Sequence, residues 1–227
     1  YITPQEFNLF ANRAQMEVFE QYFYDINQWN KVHGNDTQYS DMLENLEEKI
    51  NPFKVTNYSS AISNAWGSFQ LPSELYRLGN VFNYNLKDCE EIKRGEEWVI
   101  YRDNPLARYN SDRPIYTRST DSQGRDIVQI YPYDSGATVN RPSAAPEGSY
   151  AYIDWIKIPT DVKWGYIVVN DEALYDSSTT VDFEMHRSDE SELVSKILGM
   201  AGINMNKLEL AQASAQHQMA KVQQEKA

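Results

Sequence analysis

With 227 residues and 41% hydrophobic side chains, the chain is long enough to bury a sizeable core, as one large domain or as a domain with appended helices. A formal net charge of -12 and a sequence pI near 4.7 exclude a phosphate-gripping nucleic-acid binder and a ligand for anionic membranes. An acidic wall still suits a channel that DNA must traverse without sticking, because repulsion keeps a polyanion mobile.

The single cysteine, Cys89, leaves no disulfide framework within the chain and too few sulfurs for a cysteine-based zinc site. No apolar run approaches bilayer length and no secretion signal opens the sequence, so the chain is expected to be soluble and made in a reducing compartment. The triplets Asn35-Asp36-Thr37 and Asn57-Tyr58-Ser59 are then chance matches to the glycosylation pattern.

Thr3-Pro4-Gln5-Glu6 is a capping box with proline at the first helical position, which specifies a helix start. Behind it Phe7, Phe10, Ala11, Ala14, Val18 and Tyr22 form one apolar stripe at helical spacing. Leu9, Met16 and Phe23, seven apart, form a second stripe on almost the opposite face. A helix apolar on two faces is either central in its own fold or shared between subunits. A turn over 34–37 leads to a second helix, capped by Asp36 or Ser40, with Tyr39, Met42, Leu43, Leu46 and Ile50 inward and Asn51-Pro52 as its stop.

From Phe53 the pattern changes to short strands broken by polar turns, with candidates at 53–57, 75–82, 96–101, 114–117, 126–131, 150–158, 166–169 and 179–185. Gln123-Gly124 reads as a hairpin turn, and 140–148 as a proline-rich connection. Ser188-Asp189-Glu190 caps a further helix whose core stripe is Leu193, Val194, Ile197, Leu198 and Ala201, with Gly202 placed to end it in a left-handed cap. The expected fold class is therefore α+β. N- and C-terminal helices pack together as a helical bundle beside a central antiparallel β-sandwich or barrel-like domain. The divisions are 1–52, 53–187 and 188–227.

The last stretch, 207–227, is rich in helix formers and free of glycine, proline and aromatics. Leu208, Ala211, Ala215, Met219 and Val222 line one narrow face of it. At roughly 25 cal/mol per Å² such a seam offsets little of the entropy cost of ordering a long solvated segment. The seam is therefore read as a docking face for another subunit or partner, the alternative being a helix folded back on its own domain.

Catalytic chemistry finds no support. There is no Gly-x-Ser-x-Gly elbow, no His-Glu-x-x-His and no phosphate-cradling glycine loop, and His33, His186 and His217 sit in polar contexts. The acidic neighbours Glu90-Glu91, Glu96-Glu97 and Asp171-Glu172 point to opposite faces of a strand and make no carboxylate pair by themselves. Trp155, Trp164 and Tyr166 are the candidate platform for a second reading, a glycan-binding or glycan-cleaving β-domain.

Several phrases carry a family likeness. These are Tyr1-Ile-Thr-Pro-Gln-Glu-Phe-Asn-Leu-Phe-Ala-Asn-Arg-Ala-Gln-Met16, then Asn104-Pro-Leu106, and Val181-Asp-Phe-Glu184 leading into Glu192-Leu-Val-Ser-Lys-Ile-Leu-Gly-Met-Ala-Gly-Ile203. Together they resemble the ring, or head-to-tail adaptor, proteins of crAss-like tailed bacteriophages, over nearly the whole chain. The resemblance implies a non-enzymatic virion structural protein of the neck or tail, assembled in the host bacterial cytoplasm as a ring of about twelve copies between portal and tail. Its implied partners are further copies, the portal protein and adjoining tail ring proteins, with DNA passing through the ring without specific binding. No cofactor, metal, small-molecule substrate or membrane is implied. Closed rings need two different complementary faces per subunit, and the expected interface residues are Leu9, Met16 and Phe23 on the first helix together with the tail seam.

Overall fold

The computed structural model describes residues 2–29, 37–61, 68–83, 85–93, 95, 101, 104–106, 108–110, 112–131, 150–170, 172–205, 209, 212–216 and 219–220, with the backbone alone at 29, 37–42, 57, 60 and 61. It is mixed helix and sheet, and its sheets are antiparallel apart from one short parallel pairing.

Helix α1 spans Pro4–Trp29 and begins as its capping box dictates. The Glu6 amide donates to Thr3 Oγ1 at 3.3 Å while the Thr3 amide donates to Glu6 Oε2 at 2.9 Å. That backbone donor, with the Thr3 hydroxyl behind it, holds the Glu6 carboxyl below its ordinary value. Of the first stripe, Ala11, Ala14, Val18 and Tyr22 are buried and Phe7 and Phe10 are half-buried. Helix α2, Thr37–Ile50, buries Ile50 and half-buries Leu43 and Leu46. The caps and inward residues expected at Asp36, Tyr39, Ser40 and Met42 lie outside the described side chains.

Strands β1 (Lys54–Ala61), β7 (Tyr150–Lys157) and β3 (Leu75–Phe82) form one sheet in the order β1-β7-β3. Strands β2 (Ser68–Gln70), β6 (Asp126–Tyr131), β5 (Ile115–Thr120) and β4 (Glu90–Glu91) form a second, in the order β2-β6-β5-β4. Alternate residues of each turn inward, so Ala151, Ile153 and Trp155 from β7 meet Val128 and Ile130 from β6, with Phe69, Val81 and Tyr116, in one core filled from both sheets. The β5–β6 hairpin turns as expected at Gly124, which has φ +77°, with Asp121 accepting the Gln123 and Arg125 amides. Strands β2 and β4 were not legible as strands, being two or three residues long. The strand expected at 96–101 and the connection at 140–148 lie outside the described residues, apart from Tyr101.

Strands β8 (Tyr166–Val169) and β9 (Glu172–Tyr175) form a separate two-stranded hairpin. The strand expected at 179–185 is not formed. Val181 makes a single bridge to Lys163, and Asp176 gathers Ser178 and Thr179 into a turn that replaces extended pairing.

Helix α3 spans Glu190–Asn204. Asp189 stands at its N-cap but makes no capping bond, because its carboxylate is committed elsewhere. The expected stop at Gly202 is also corrected: Gly202 is buried within the helix, which ends two residues later with Met205 at φ -84°, outside the left-handed region. Of the expected core stripe only Leu193 and Ala201 are buried, whereas Val194 and Leu198 are exposed.

Two compact units result. One comprises Tyr1–Pro52 with Pro159–Ala227, the other Phe53–Ile158. Residues 159–187 thus group with the helices, where the sequence reading had placed them with the strands, because α1 binds their backbone directly. Within the first unit α1 packs on both α2 and α3.

Candidate assembly surface

Three amides on one face of α1 grip an extended segment of the same unit. The Trp164 amide donates to Asn8 Oδ1 at 2.7 Å, and Asn8 Nδ2 donates back to the Trp164 carbonyl at 3.5 Å. Asn12 repeats the arrangement on Val162 at 2.6 and 3.1 Å, and Gln15 Nε2 donates to the Thr160 carbonyl at 2.8 Å. The ladder has a geometric cause. Four helical residues rise about 6 Å and two extended residues about 6.6 Å, so side chains one helical turn apart meet every second strand residue. Glu184 holds the far end of the segment, accepting from the Thr160 amide and hydroxyl at 3.2 and 3.1 Å. Phe7 meets Trp164 edge to face, with ring centroids 6.0 Å apart.

A second polar knot joins the helices. The Tyr22 hydroxyl donates to Asp189 Oδ2 at 2.5 Å and Lys49 Nζ lies 2.8 Å from Asp189 Oδ1, so the buried carboxylate at the head of α3 is paired from both α1 and α2. Burial, and then the Asp189 hydrogen bond, push the Tyr22 hydroxyl far above its ordinary value.

The segment held by the amides delivers the β8–β9 hairpin. Tyr166 pairs with Tyr175, Ile167 with Leu174, Val168 with Ala173 and Val169 with Glu172, and Asn170 at the tip adopts φ +51°, which asparagine tolerates. Gly165 sets its root. A Cβ there would lie 2.6 Å from the Asp176 carbonyl oxygen and 2.3 Å from Thr179 Oγ1. Both faces of the hairpin carry exposed apolar side chains: Ile167, Val169 and Leu174, beside Glu172, on one, and Val168 and Tyr175, beside the half-buried Tyr166 and Ala173, on the other.

The tail comes close to its own chain at Ser214. A Cβ on Gly199 would lie 2.6 Å from Ser214 Oγ, so the two backbones approach closely where α3 carries a glycine and the tail a serine. At that one point the tail lies against its own unit, as the fold-back alternative expects. Of its seam's described residues, Ala215 is exposed and Met219 is 67% exposed.

The remaining expected interface residues separate. Leu9 is 69% exposed, Met16 is half-buried, and Phe23 is half-buried against Phe19 with ring centroids 5.1 Å apart. Leu208, Ala211 and Val222 lie outside the described residues. The sugar platform is not presented, since Trp155 is buried in the strand core and Trp164 half-buried on Phe7. Among the described residues no three His, Cys, Asp or Glu side chains gather as metal ligands would, and no helix is long and apolar enough to cross a membrane. The hairpin surface and the amide ladder were missed in the sequence. The spacing Asn8, Asn12, Gln15 inside an apolar helix was the available signal for the ladder.

No protein-family model matches the chain, and no curated protein sequence matches it.

Proposed function

We propose that this chain is a non-enzymatic structural protein of a tailed-phage virion, one subunit of a closed ring, of about twelve copies, between portal and tail around the DNA channel. In this reading its N- and C-terminal helices form a helical bundle and its central strands an antiparallel sandwich. One observation carries the proposal: a single compact unit leaves two unlike sets of apolar side chains open, those of the β8–β9 hairpin and Val194 with Leu198 on α3. A ring subunit must present two different complementary faces, because each copy contacts its neighbours on opposite sides. The net charge of -12 supports a channel from which DNA is repelled rather than held. The tail seam, through Ala215 and Met219, is the face offered to a neighbouring copy, the portal or an adjoining ring.

Electron microscopy of intact virions tests this reading. The expected result is density for this chain as a symmetric ring on the channel axis, and its absence from purified virions refutes it.

A further inference from the structure

We draw no further inference here: the strongest candidate, the β8–β9 hairpin with Ile167, Val168, Val169, Leu174 and Tyr175 exposed, is an unpartnered apolar surface, and nothing in the structure shows what covers it.

Discussion

Replacing Tyr22 by Phe removes one oxygen from a buried site whose geometry fixes the cost. The hydroxyl is the 2.5 Å donor to Asp189, which is 1% exposed, and Lys49 at 2.8 Å is the other charged partner. A hydrogen bond to a charged group contributes about 1.5–3 kcal/mol, and nothing in a phenyl ring replaces it. For a cooperative unit of about 120 residues, each kcal/mol moves the midpoint by about 4 °C, so Y22F should melt about 6–12 °C lower. Lys49→Met should cost more, about 3–5 kcal/mol, because it leaves the buried carboxylate without its counter-ion. Urea unfolding of Y22F, K49M and the double variant, followed by circular dichroism with slopes compared, gives both costs and their coupling. A Y22F protein within about 0.5 kcal/mol of the parent would refute the view that this knot holds the three helices together.

Asn12→Leu should destabilise the first unit by about 1–3 kcal/mol, since two Val162 backbone groups lose their partners, and amide exchange should accelerate at Val162. Gly165→Ala should be at least as costly, because its Cβ meets backbone at 2.6 Å; a melt unchanged from the parent would show that the hairpin root is loose. Burial pushes the Cys89 thiol and the Tyr116 hydroxyl up to about 12, so below pH 9 both are protonated folded or unfolded and stability is level. Above that the unfolded chain loses these protons first, stability falls toward pH 12, and a thiol reagent at pH 8 should label Cys89 only after unfolding. Ala215→Glu should leave the isolated chain's melt unchanged, because Ala215 is exposed, yet block attachment to its neighbours. A destabilised monomer would instead show the seam closed within the chain.

Local signals with one physical meaning carried over from sequence to structure. The Thr3 to Glu6 capping box, the buried stripe Ala11, Ala14, Val18, Tyr22 and the turn at Gly124 each follow from steric or hydrogen-bond rules that act within a few residues. What failed was decided by distant partners. Asp189 has the right type for a helix cap, but Tyr22 and Lys49, more than a hundred residues away in sequence, take its carboxylate. Gly202 reads as a stop only if the glycine is exposed, and burial lets the helix continue through it. Val194 and Leu198 have core spacing on α3, yet both stay exposed while Leu193 and Ala201 are buried. Of the tail, the helical conformation at Ala215 and Met219 was legible as periodicity. Of the hairpin only the first strand, 166–169, was legible, because β9 is four residues long and no strand was expected there.

The way the first unit is held explains why it has apolar side chains to spare. Its long-range connections are directional and polar: the amide ladder of Asn8, Asn12 and Gln15, the Asp189 knot, and Glu6 accepting from Asn204 Nδ2 at 3.2 Å. Such bonds contribute modestly to net stability but fix register strictly, since a one-residue slip of the 160–164 segment would present side chains where the amides need backbone groups. Apolar contacts tolerate small shifts and contribute in proportion to area. A unit positioned by hydrogen bonds can therefore hold the hairpin in a defined place while leaving the apolar side chains Ile167, Val168, Val169, Leu174 and Tyr175 exposed.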